Sequence, residues 1–241
     1  DRKGAQGLVL PYEYKEFKNY PTFPELSPRI YALLEDSDTL VAGHATMNDV
    51  KYLNLETKRF SLRSFRFDFL DTQFVYMNKI GVFNSQFGLG SIAEALGVEF
   101  TPHRAADDAY ATMKIAEAMC REEGLDFSAL LKKYEITAGH IENYEVRQNT
   151  SSAYAAYVAE VQRRKEEREK ARVEFHNFID REKRRRKKEG ILKNKTVCFS
   201  HPLEESLSVS KPLAAALFAA GGFYGFRAEE CDYYVCLGEE S

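Results

Sequence analysis

Thr39-Leu40-Val41-Ala42-Gly43-His44 is the stretch that decides how this chain folds. It follows the acidic break Asp36–Asp38 and reads as a short strand, apolar throughout, the pattern of a strand covered on both faces in a parallel sheet. Helical spacing lies on either side. From Thr22, Phe23, Leu26, Ile30, Leu33 and Leu34 recur on one face, and Pro24 and Pro28 are tolerable only near that helix's beginning. Ala45 to Leu55 is the next helix, carrying Asp49 in its first half. Phe65 to Val75 is a second strand, with Phe67, Phe69, Leu70 and Phe74, and Asp71-Thr72 interrupts it as a strand end. Leu89 to Leu96 is a short helix stopped by Gly97. Strand, helix, strand, helix, helix argues an α/β fold rather than an all-helical one.

Upstream, residues 1–24 lack helical periodicity and are punctuated by Gly4, Gly7, Pro11, Pro21 and Pro24; Gly7 to Pro11 reads as the end of one strand. Downstream, a helix runs from His103 to about Glu122 before Gly124, and Asp126 to Tyr134 forms another with Phe127, Leu130 and Leu131 inside. Residues 151–189 read as one long polar helix. Its apolar positions are sparse, at Tyr154, Tyr157, Val158 and Val161 and again at Val173, Phe175, Phe178 and Ile179, so it reads as a connector. Lys195 to Ser200 is then a strand, Lys211 to Ala220 an alanine-rich helix, Gly221-Gly222 its stop, and Asp232 to Leu237 another strand. Two strands and a helix in about fifty residues are too little for an independent core of normal stability. The expected organisation is therefore a domain over 1–138, a charged helical linker over 139–190 and a partial domain over 191–241.

Composition sets the outer limits. The chain of 241 residues is 44% apolar and 29% charged, which suits a globular protein with a real core. No apolar run approaches the roughly 20 residues that span a bilayer, so a membrane role has no support. Four scattered cysteines need no disulfide framework and favour a reducing, cytoplasmic setting. The net charge of −3 hides a dense basic tract after residue 160. Its peak is Lys183-Arg184-Arg185-Arg186-Lys187-Lys188, which reads either as a solvated surface or as a contact for nucleic-acid phosphates.

The chemistry points to His103-Arg104-Ala105-Ala106-Asp107-Asp108. An imidazole and two carboxylates stand at the start of a helix, where the dipole favours negative charge. A carboxylate there can hold a divalent cation, and the histidine can take a proton from water. The spacing alone also fits a plain helix start with a loop histidine beside it.

Taken together, Phe23-Pro24-Glu25-Leu26, Leu40 to His44, Asp49, Leu89 to Gly97, and His103 to Ala109 resemble the DEDDh exonucleases, which include the proofreading subunit of bacterial DNA polymerase III. The resemblance covers about residues 8–120. It implies a ribonuclease H-like fold and 3′ to 5′ removal of nucleotides from DNA, or alternatively RNA, with two divalent ions, Mg²⁺ or Mn²⁺. Residue by residue, it implies Asp49 and Asp108 as metal ligands and His103 as the general base; Asp71 falls near an Asp-Thr pair with an expected structural role. Two departures stand out. The second motif reads His44-Ala45-Thr46-Met47-Asn48-Asp49, without the usual asparagine after the histidine or phenylalanine before the aspartate. The family's first motif, Asp-x-Glu on a central strand, has no counterpart here. The expectation is an incomplete record of a longer protein, with two ions bound only if that motif is supplied. The competing reading is a degenerate exonuclease fold kept as a nucleic-acid or protein-binding module.

The tail resembles part of a BRCT domain, through Lys195 to Phe199, Gly221-Gly222 and Asp232 to Glu239. That resemblance implies a protein partner, and phosphate binding by Ser200 and Lys211, although His201 replaces the usual glycine. A packing module without a ligand is the alternative.

Overall fold

The computed structural model describes residues 16, 18–99 and 105–238. The chain divides into two compact units, Asp1–Tyr157 and Val158–Ser241.

In the first unit, α1 (Phe23–Leu34) opens on a capping box: Glu25 accepts from the Thr22 backbone N–H at 2.6 Å and from its hydroxyl at 2.7 Å. The expected strand is present as β1 (Val41–Gly43), followed by α2 (Met47–Arg59) and β2 (Phe67–Asp71). β1 and β2 pair in parallel, with Val41 opposite Phe69 and Gly43 opposite Asp71. The second strand ends at Asp71, the break expected at Asp71-Thr72, and the stretch from Thr72 to Val75 needs correction from strand to helix. The Asp71 carboxylate accepts from the Gln73 N–H at 2.9 Å and starts a helix, α3 (Thr72–Ile80), which turns Phe74 and Val75 inward on a helical face. α4 (Leu89–Ala95), α5 (Ala105–Glu123) and α6 (Phe127–Lys133) complete the helical layer; Gly97 and Gly124 adopt φ of 64° just beyond α4 and α5.

Four short strands lie where the linker was expected to begin: β3 (Ile136–Thr137), β4 (Gly139–Glu142), β5 (Glu145–Arg147) and β6 (Thr150–Ser151). β4 and β5 extend the main sheet to the order β1-β2-β4-β5, while β3 pairs with β6. Asn143 and Tyr144, at φ of 51° and 62°, make the two-residue turn between β4 and β5. Gly139 is required at its place, because a Cβ would overlap the Phe69 ring and come 2.9 Å from the Arg147 carbonyl. Two apolar cores result. Phe65, Phe67, Phe69, Ile141, Val50 and Tyr31 form one; Val75, Ile92, Ile115, Met119 and Leu130 are in the other. Burying a side chain of this size contributes about 1.5–3 kcal/mol.

The long helix α7 (Ser152–Glu182) crosses the division between the units. Its final turns are not a connector: Phe175 and Ile179 are buried in the second unit's core with Val197, Phe199, Leu203 and Leu217. The parallel sheet there has β7 (Thr196–Phe199) between β8 (Phe223–Tyr224) and β9 (Tyr233–Val235). α8 (His201–Glu205) and α9 (Leu207–Ala219) follow β7. The missing hydrophobic content of the expected fifty-residue unit thus comes from the preceding helix. No helix among the described residues is long and apolar enough to cross a membrane, and the four cysteines are free thiols.

Candidate active site

Because β1 and β2 run in parallel, the chain leaves both strands at the same end of the sheet, the position at which open α/β sheets take ligands. The β1–α2 loop is held there by Asp71. Its carboxylate accepts from the Ala45 N–H at 3.0 Å and the Thr46 N–H at 3.1 Å, in addition to the Gln73 N–H. These bonds fix Ala45 at φ 54°, a left-handed conformation that costs a non-glycine residue about 1 kcal/mol or more. Burial raises the Asp71 carboxyl above its ordinary value, against the opposing effect of its backbone donors. Every one of these bonds belongs to the fold, so Asp71 is a positioning residue.

His44 is held in the same way. Its Nε2 lies 2.9 Å from the Phe87 carbonyl and so carries the proton, while Nδ1 lies 3.2 Å from the Thr72 hydroxyl. Burial lowers its pKa, against the opposing effects of the Phe87 carbonyl and the Asp71 carboxylate. Neither Asp71 nor His44 belongs to the expected catalytic set.

Asp49 stands in the first turn of α2, exposed, and Asp108 in the first turn of α5, half-buried. α5 packs against β1, the strand that precedes α2. Neither carboxylate accepts a hydrogen bond from any described residue. Thr112 Oγ1 donates to the Asp108 backbone carbonyl at 2.8 Å and leaves the side chain free of that duty. His103 lies outside the described residues. Among the described residues, no three His, Cys, Asp or Glu side chains converge to hold a metal ion. Asp49 and Asp108 by themselves therefore do not make the donor set that two divalent ions require.

The expected phosphate-binding residues lie in the second unit, and their side chains are largely engaged. Ser200 is buried and caps α8, its Oγ accepting from the Leu203 N–H at 3.4 Å. Lys211 pairs with Glu174 at 2.5 Å. The two residues are thus built into the core edge rather than gathered around an open anion site. Within the basic tract, Lys183 pairs with Asp180 and Arg185 with Glu182 at 2.8 Å. Arg186 donates to the Gly221 carbonyl at 2.9 Å and lies 4.0 Å over the Phe223 ring, which makes it a structural residue. The Arg184, Lys187 and Lys188 side chains are exposed and make no hydrogen bond or salt bridge among the described residues, Arg184 acting on Asp180 only through its charge.

Sequence reasoning missed a cavity of about 630 Å³ in the first unit, lined in part by Asp71, Asn84, Gln148, Tyr154 and Tyr157. Its signal was present as the polar loop Asn84-Ser85-Gln86 and the tyrosines three residues apart, but those tyrosines also fit a sparse helical stripe.

Residues 12–116 match the family model described as Exonuclease, a stretch that contains β1, α2, β2 and the first part of α5. The match supports an exonuclease domain here, a nuclease of the hydrolase class, with nucleic acid as its substrate. Neither the curated proteins nor the solved structures contain a match to the chain.

Proposed function

We propose that the first unit is a 3′ to 5′ exonuclease of the DEDDh kind acting on DNA, with RNA as the alternative substrate. Asp49 and Asp108 are its metal-binding carboxylates and His103 its general base. The observation that carries this reading is the exonuclease match over residues 12–116 together with two carboxylates in opening helix turns that the fold leaves unused. Mg²⁺ or Mn²⁺ would supply the charge that stabilises a phosphodiester under attack. The described residues provide too few ligands for that, so the reading requires an Asp-x-Glu pair to complete the set. On this reading the exposed cations Arg184, Lys187 and Lys188 contact nucleic-acid phosphates, the second unit is a BRCT-like module for a protein partner, and the protein works in the cytoplasm.

The incomplete donor set favours a second reading, an exonuclease fold that binds nucleic acid without cutting it. Hydrolysis of a 3′-labelled single strand by the full-length protein, with Mg²⁺ or Mn²⁺, separates the two. The expected result is cleavage that Asp108→Ala reduces to background and His103→Ala lowers by about a hundredfold or more. An unchanged rate in Asp108→Ala means the site is wrongly assigned. Salt-sensitive binding with no metal-dependent cleavage supports the second reading.

A further inference from the structure

The cavity at the carboxyl ends of β1 and β2 has a wall chemistry that neither the metal site nor the fold explains. Part of the lining is aromatic: Phe83 lies 5.7 Å from both Tyr154 and Tyr157, and the two tyrosine rings stack at 6.4 Å with their planes 28° apart. Its lining also includes neutral polar groups, the amides of the exposed residues Asn48, Asn84, Gln86 and Gln148. Among the described residues, none of these four amides and neither tyrosine hydroxyl has a hydrogen-bond partner. Asp71 is the one charged residue on the wall among the described residues, and its oxygens are committed to backbone N–H groups. Among the described residues, no lysine or arginine lines the space, so these side chains offer no cation to a phosphate. At about 630 Å³ it lies within the range of small-molecule sites.

A ligand that uses both parts of this lining must be flat, uncharged and edged with alternating donors and acceptors. Side-chain amides offer donors and acceptors together, and aromatic rings take the face of a planar heterocycle. We infer that this cavity binds a single nucleobase, its face against Phe83, Tyr154 and Tyr157 and its edge against the amides of Asn84, Gln86 and Gln148. The base arrives either as a free nucleoside or as an unpaired residue of a single strand. The second source rests on the nuclease reading; the first does not.

The test uses the full chain in EDTA, where cleavage plays no part. Calorimetric titrations are made with adenosine, cytidine, guanosine and thymidine, and with a short oligodeoxythymidine, at low and high salt. Nucleoside binding is expected to be indifferent to salt, since no phosphate is held. Tyr157→Ala is expected to weaken binding about tenfold or more, the loss of one stacking partner, whereas Tyr157→Phe keeps the ring and the affinity. Gln148→Ala, on an exposed loop, changes the ranking of the four bases and guards against a folding defect in the tyrosine variant. Loss confined to the nucleosides, or to the oligonucleotide, identifies the source and supports the inference in either case. If neither ligand binds, or if Tyr157→Ala and Gln148→Ala leave every affinity unchanged, the inference is overturned. Because the assay contains no metal, a failure of hydrolysis does not affect its outcome.

Discussion

Asp71 and Asp108 stand in one unit, each at a helix start, and the fold treats them in opposite ways. Asp71 is half-buried and holds three backbone N–H groups, two of them in a loop that includes a left-handed alanine. Asp108, half-buried in the first turn of α5, has no such bond among the described residues. A carboxylate spent on the backbone stabilises the fold and is lost to chemistry; one left over contributes little to the fold and is available to a ligand.

The largest effect that could break this contrast is on stability. Asp71→Ala is expected to destabilise the first unit by about 3 kcal/mol, since several backbone donors lose a charged acceptor and are left in a largely dry site. Asp108→Ala should leave the free energy of urea unfolding within about 0.5 kcal/mol of the parent, as expected for a side chain with no structural partner. Equal losses in the two variants would mean that Asp108 is also structural.

The same division of labour can be tested in the basic tract. Arg184→Ala combined with Lys188→Ala should leave thermal stability unchanged and lower the salt dependence of DNA binding by up to about two counterions. Arg186→Ala should do the reverse, costing about 1–2 kcal/mol through the lost Gly221 bond and Phe223 contact, with little change in salt dependence.

A smaller effect comes from Glu123, which accepts from Lys133, from the Tyr134 hydroxyl at 3.0 Å and from Lys79 at 3.2 Å. The Lys133 ammonium, then the Tyr134 hydroxyl and Lys79, hold its carboxyl down at about 2, below its ordinary value of 4.5. A depressed carboxyl contributes stability that is fully present above its ordinary value and is lost as pH falls toward the depressed one. Urea unfolding between neutral pH and pH near 2 should therefore show a shallower acid loss in Glu123→Gln than in the parent.

Much of the first unit was legible because its signals are local. The Leu40–Gly43 run, the 3.6-residue spacing of α1 and α5, and the glycines after α4 and α5 each state one element. The β4–β5 hairpin was not legible, because strands of three or four residues are too short to show alternation and its turn uses Asn143-Tyr144 rather than Asn-Gly. The overrun at Asp71-Thr72 has a similar cause. Phe74 and Val75 are apolar in either conformation, and only the cap at Asp71 says which one holds. Of the candidate site, the carboxylates were visible as residue types. Whether Ser200, Lys211 or Arg186 had a free side chain was not, since their partners Leu203, Glu174, Gly221 and Phe223 are known only from the fold.

Phe175 and Ile179, near the end of α7, limit how freely this chain can be taken apart. A module joined by an indifferent tether tolerates cutting, lengthening or exchange of that tether. Here the segment that would be the tether supplies two of the second unit's fully or almost fully buried side chains. A fragment starting at Gly190 would leave Val197, Phe199 and Leu217 facing water where those two residues belong, and insertion of a residue or two between Val173 and Ile179 would rotate the packing face away from the sheet. The second unit therefore folds together with its preceding helix, as one piece from about Val158 onward.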